Sequence, residues 1–265
     1  MDYSIEVKEL KIAYEQNVII PSMNLKIPKG KITMIIGSNG CGKSTLLKAI
    51  ARILKPSKGE IVIDSKTIKQ MAPKEIAKQM AVLPQSPVAP AGLLVRELVS
   101  YGRFPYLSPM GGMKEHDLTI VDWAMQATQV YELKDRPMES LSGGQRQRVW
   151  IAMALAQETK ILVLDEPTTY LDMAHQLEIL QLLQKLNKEH HTTIVMVLHE
   201  LNNACKFADH IIGLKQGELV FEGAPNDVIT TDNLRKLYHI EATLQKSQEG
   251  TYPICTDFEL MNEGS

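Results

Sequence analysis

The sequence predicts an α/β fold with a mostly parallel sheet, an N-terminal antiparallel β subdomain and an inserted helical subdomain at about residues 86–140. Three observations carry that prediction. Short continuous apolar runs, ITMIIG at 32–37, ILVL at 161–164 and TIVMVL at 193–198, read as strands covered on both faces. Helical stretches alternate with these strands along the chain. The N-terminal segment instead alternates apolar with polar residues, as a strand with one wet face does.

Each element follows in order. Ile5, Val7 and Leu10 mark the first strand, and MNLKIPKGK at 23–31 a second that ends in a Pro/Gly turn. Strand 32–36 runs into a glycine-rich loop at 37–42 and then a helix from Lys43 to about Leu54. A PSKG turn at 56–59 precedes strand 60–64. The stretch 86–140 is richer in Pro, Gly and Met and is helical only in pieces, such as 118–128. Residues 142–158 read as one helix with Ser142 as N-cap, followed by the buried strand 161–164. Leu177, Leu180, Leu183 and Leu186 share one face of an amphipathic helix over 173–189. The strand 192–198 and a hairpin over 211–223 complete a single domain spanning 1–240. From Glu241 to the end, 241–265, the sequence is polar and shows no clear period.

Composition removes several classes of function. Of 265 residues, 44% are hydrophobic and 23% charged, the balance of a globular chain. Lys+Arg number 29 against 31 Asp+Glu, a net charge of −2, so the basic surplus of a nucleic-acid binder is missing. Three Cys, at 41, 205 and 255, form no paired framework and suit a reducing compartment. The opening MDYSIEVKEL has no apolar signal core, and no apolar run approaches the roughly 18–20 residues of a spanning helix. The expectation is a chain soluble by itself that reaches a membrane only through a partner.

GSNGCGKS at 37–44 matches G-x-x-x-x-G-K-[ST] at every fixed position, between a strand and a helix. Gly37, Ser38, Asn39, Gly40, Cys41 and Gly42 form a loop whose N–H groups can turn inward around phosphate oxygens. Lys43 can reach the β- and γ-phosphates of ATP, the Ser44 hydroxyl can ligate Mg²⁺, and Thr45 can cap an α-phosphate oxygen. Cys41 admits two readings: a small filler, or a thiol activated by the helix N-terminus and shielded by MgATP.

In ILVLDEP, Asp165 suits the Mg²⁺ shell, while Glu166 can orient or deprotonate the attacking water. His199, at the end of the next buried strand, can contact the γ-phosphate and hold that water. Gln85 in VLPQSP is a strand-end amide able to touch Mg²⁺ and the same water. LSGGQRQR at 141–148 places Ser142, Gly143, Gly144 and Gln145 at a helix N-terminus, a second anion site in a chain that already has a phosphate loop. Such a site needs a second molecule.

These motifs together resemble the ATP-binding cassette (ABC) family over residues 2 to about 225, in family order and without a departure. GSNGCGKS looks like its Walker A loop, Gln85 its Q-loop, LSGGQ its signature, ILVLDEP its Walker B strand and His199 its switch residue. Leu171-Asp172 looks like the D-loop, and Tyr14 like the aromatic that stacks on adenine. The resemblance implies a P-loop NTPase core and a head-to-tail dimer with two ATP molecules between phosphate loop and signature. YGRFPY at 101–106, TTYLDMAHQLEIL at 168–180 and HELNNACKFADHIIGLKQGELVFEGAPNDVIT at 199–230 resemble importer ATPases for iron–siderophore, haem or cobalamin complexes. Partners implied are integral-membrane permease subunits and, indirectly, an extracytoplasmic substrate-binding protein, at the cytoplasmic face of the membrane.

Two alternatives stand beside the importer reading: a soluble non-transport ABC ATPase and a nucleotide-gated scaffold. A single cassette without a long coiled coil disfavours the first, and intact Glu166 and His199 the second. In the same resemblance, Ser86 to Met113 borders the groove for a permease helix. Pro84, Pro87, Pro90 and Pro105 stiffen it, Phe104, Tyr106 and Met110 offer apolar area, and Arg103 is expected to meet the partner.

Overall fold

The computed structural model describes residues 2–108 and 111–261. Its strands are β1 Tyr3–Tyr14, β2 Asn17–Pro28, β3 Ile32–Ile36, β4 Lys58–Ile63, β5 Lys66–Thr67 and β6 Met80–Leu83. The later ones are β7 Ile161–Leu164, β8 Thr193–Val197, β9 His210–Lys215, β10 Glu218–Gly223, β11 Ile240–Lys246 and β12 Pro253–Leu260. The chain divides into two compact units, residues 1–70 with 193–265, and residues 71–192.

In the first unit, β2-β1-β4-β5 form an antiparallel sheet. Strand β3 lies between β8 and β9 and pairs with both in parallel, while β10 adds antiparallel to β9. All five residues of β3 and all five of β8 are buried, which is why each sequence is apolar but for one threonine and shows no alternation. Gln216 and Gly217 both adopt positive φ, the two-residue turn that closes a twisted hairpin between β9 and β10.

The helix after the phosphate loop is Lys43–Ile50, shorter than expected. Arg52 takes the left-handed conformation (φ 56°), its N–H donates to the Ala49 carbonyl and the Ile53 N–H to the Lys48 carbonyl. That is a Schellman closure with arginine where glycine is usual, so no glycine announces the stop.

The tail, without a clear period in its sequence, is a hairpin. Strands β11 and β12 pair antiparallel, with Ile240, Ala242 and Leu244 alternating against polar neighbours. Asn202 ties this hairpin to the helix Leu201–Phe207: its amide donates to the Cys255 carbonyl at 3.0 Å and accepts from the Cys255 N–H at 2.8 Å.

In the second unit β6 and β7 pair in parallel, accompanied by the helices Val95–Ser100, Glu115–Ala127, Gly143–Ala156 and Met173–His190. Leu180, Leu183 and Leu186 bury the predicted face of the last. Arg103 is not on the surface. It is 2% exposed, and its guanidinium donates to Asp117 at 2.9 Å, to Glu158 at 2.7 Å and to the Ala156 carbonyl at 2.8 Å. A planar donor set among three acceptors at a helix C-terminus is satisfied internally and cannot serve a partner. Phe104 is 58% exposed and stacks on Tyr101, so it offers the apolar area expected there. Tyr106 is half-buried and donates to the Gln157 carbonyl, and Met110 lies outside the described residues.

Candidate functional site

The phosphate loop belongs to the first unit. At the end of β3, Gly37 has φ 148°, and a Cβ there would collide with the Leu214 carbonyl oxygen. Gly42, at φ 103°, starts the helix from a conformation that only glycine takes without strain. Ser38, Asn39 and Gly40 are exposed at the rim, and Ser44 and Thr45 are half-buried on the first helical turn. Lys43 is 5% exposed, and its ammonium donates to the carbonyls of Gly37 at 2.8 Å and Ser38 at 2.9 Å. The cation is thus held over its own loop, where phosphate charge would meet it.

Two further expected residues share this unit. Parallel pairing sets Ile35 opposite Val197, which brings His199 level with Gly37 at neighbouring strand ends. His199 is exposed there. Tyr14 closes β1 with its side chain exposed, as a stacking surface requires.

The surroundings of Cys41 favour the filler reading. It is 3% exposed, and burial pushes its thiol up despite the nearby Lys43 ammonium. A raised thiol pKa means less thiolate at neutral pH, and burial limits access, so alkylation of Cys41 in the folded chain is expected to run slower than that of a free thiol. Peptide mass analysis after timed iodoacetamide treatment checks this; rapid labelling that MgATP blocks would restore the activated reading.

The acidic residues and the signature lie in the second unit. Asp165 directly follows strand β7 and is buried, with its N–H bonded to the Leu83 carbonyl of β6. Glu166 follows at φ 53°, a left-handed conformation that costs a non-glycine residue about 1–3 kcal/mol. Its carboxylate is fixed by two donors, the Gln85 amide at 2.5 Å and the Thr169 hydroxyl at 3.0 Å. Gln85 and Glu166, distant in sequence, therefore meet directly. Thr169 escaped the sequence reading because a threonine three residues past a carboxylate carries no signal by itself.

Ser142 caps the helix Gly143–Ala156: its hydroxyl accepts from the Gln145 N–H, and the Gln145 side chain accepts from the Ser142 N–H at 3.1 Å. This capping box leaves the first-turn N–H groups of Gly143 and Gly144 aligned along the axis, where an anion is favoured. Ser142 and Gly143 are exposed. Asp172 caps the helix Met173–His190, accepting from the His175 N–H at 2.9 Å. That backbone donor, and then the His175 ring, hold the Asp172 carboxyl below the usual carboxylate range.

Two supporting residues had no sequence signal. Tyr238, at the end of the helix Thr231–Tyr238, packs on the phosphate loop: burial pushes its phenol up, against a hydrogen bond with the Gly37 backbone. His175 lies against Gly144, so close that a Cβ on that glycine would stand 2.7 Å from the ring.

The chain is similar to known proteins over nearly its whole length. The family model described as ABC transporter matches residues 20–169. The chain is 51% identical over 258 residues to the iron(3+)-hydroxamate import ATP-binding protein FhuC of Bacillus subtilis (strain 168), covering 97% of this chain and 96% of that protein. It is 42% identical to the ferric enterobactin transport ATP-binding protein FepC of Escherichia coli (strain K12), covering 89% of this chain and 88% of that one. Among solved structures, a metal-chelate type ABC transporter in an inward-facing conformation superposes with TM-score 0.83 at 28% identity, covering 99% of each chain. The dimeric bacterial ABC transporter cassette MJ0796 gives TM-score 0.73 at 32% identity, covering 83% of this chain and 98% of that one. A phosphate loop, an acidic strand end and a capped signature helix, with relatives alike over nearly the whole length, make the chain a member of the ABC transporter family, of the kind that binds and hydrolyses ATP.

Proposed function

We propose that the chain is the ATP-hydrolysing subunit of an importer for metal chelates, with ferric siderophores as the cargo class. The observation that carries this reading is 51% identity, over 97% of the chain, to an iron(3+)-hydroxamate import ATP-binding protein. Among the described residues no helix is long and apolar enough to cross a membrane, which suits a subunit that docks on separate permease subunits at the cytoplasmic face. Delivery of cargo by an extracytoplasmic substrate-binding protein belongs to the same reading. Phe104 and Tyr101 are the exposed aromatic pair available to the permease.

Catalysis follows from the residues. Tyr14 stacks on adenine, the 37–45 loop and Lys43 hold the phosphates, and Glu166 takes the proton of the attacking water while His199 steadies it. A second copy, arranged head to tail, presents Ser142, Gly143, Gly144 and Gln145 to the same nucleotide, with Asp172 beside them. The hydroxyl of Ser44, the amide oxygen of Gln85 and the carboxylate of Asp165 are hard oxygen donors, a set that fits Mg²⁺ better than a soft metal. Mg²⁺, when bound, neutralises phosphate charge.

Transport tests the reading. Liposomes carrying this chain with its permease subunits and binding protein are expected to accumulate ferric hydroxamate only with ATP on the side of this chain. ATP turnover without accumulation of any ferric chelate would move the chain to a non-transport ATPase.

A further inference from the structure

The second unit holds an unassigned contact between two segments that the proposed function uses separately. Nδ1 of His175 lies 2.8 Å from Oδ1 of Asp172, and the same carboxylate oxygen accepts the His175 backbone N–H. With Nδ1 anchored, the opposite edge of the imidazole is delivered to the signature helix. A Cβ built on Gly144 would lie 2.7 Å from Cδ2 and 3.4 Å from Nε2. One residue earlier, a Cβ on Gly143 would meet the Leu171 side chain at 3.7 Å. Gln176 closes the same turn, donating to the Leu171 carbonyl at 3.1 Å. Residues 171–176 are therefore folded onto the first turn of the helix Gly143–Ala156, and glycine at 144 makes room for the ring.

We propose that His175 is a positioning residue that joins the Asp172 turn to the first turn of the signature helix, so that both approach a second copy's nucleotide as one rigid piece. The inference rests on the head-to-tail dimer of the proposed function. A carboxylate acceptor and a donor ring with a flat edge are both required: the first fixes the ring's direction, the second sets the spacing to a Cα without side chain. Free rotation between two contact segments would have to be frozen on association, and a preformed contact removes that cost.

Full-length Glu166→Gln, expected to accumulate as an ATP-bound dimer, is the parent for the test. Sedimentation with MgATP measures the dimer, and a fluorescent ATP analogue at dilute protein measures binding by the single chain. Adding His175→Ala is expected to weaken the dimer about tenfold or more while single-chain nucleotide affinity stays within about twofold. His175→Asn keeps a donor for Asp172 but loses the edge against Gly144, and is expected to fall between the two. Gly144→Ala is expected to damage the dimer less when His175→Ala has already removed the clashing ring. Equal dimer strength with and without His175 overturns the inference alone, as does an equal loss of nucleotide affinity and dimer. A parent that forms no ATP-dependent dimer overturns the proposed dimer and this inference together.

Discussion

Glu166→Gln is expected to keep ATP binding and to lose about 10²–10⁴-fold in hydrolysis, the usual cost of removing a general base. The substitution is close to isosteric, and the amide oxygen can still accept from the Thr169 hydroxyl that fixes Glu166. Basicity and the negative charge are lost, while the shape is kept. Glutamine also keeps the left-handed backbone at φ 53° no more strained than glutamate does. The phosphate loop lies in the other unit and retains Lys43 over the Gly37 and Ser38 carbonyls, so nucleotide affinity has no reason to fall. Single-turnover hydrolysis beside equilibrium nucleotide binding measures the split. Turnover at the parent's rate in purified protein would remove Glu166 from the proton-transfer role.

What the sequence made legible was the chemistry written in contiguous residues. The glycines at 37 and 42 stand where the backbone takes φ that only glycine accepts cheaply, and the buried strands that precede and flank them read as unbroken apolar runs. Ser142 announced the signature helix because a side-chain cap and its Gln145 partner are both local. Features closed by distant or uncharacteristic residues stayed hidden. Arg52 ends a helix in a conformation that sequence patterns assign to glycine. The β11–β12 hairpin is half polar and is held by Asn202, far upstream. Cys41 left two readings open in the sequence, and it is burial, a tertiary property, that pushes its thiol up. The same holds for Arg103, whose three acceptors are 14, 53 and 55 residues away in sequence.

Arg103→Ala is therefore expected to act on stability rather than on a partner. Removing the guanidinium leaves the Asp117 carboxylate buried without its cation and the Ala156 carbonyl, near the end of the signature helix, without its donor. Breaking a buried ion pair in this one-sided way costs about 3–5 kcal/mol. Arg103→Lys is expected to recover only part of it, since one ammonium cannot reproduce a fork that serves Asp117, Glu158 and Ala156 together. The Asp117 carboxyl is held low, first by the Lys114 backbone N–H and then, against burial, by Arg103. A depressed folded pKa contributes stability that is full above the ordinary carboxylate value of about 3.8 and fades as pH falls through the lowered one. The difference between parent and Arg103→Ala should accordingly be largest at neutral pH and shrink in acid. Phe104→Ala, at an exposed neighbour, should shift stability by no more than about 1 kcal/mol. Urea unfolding at neutral and acidic pH measures all three variants. An Arg103→Ala midpoint equal to the parent's at neutral pH would mean that the buried network contributes nothing to stability.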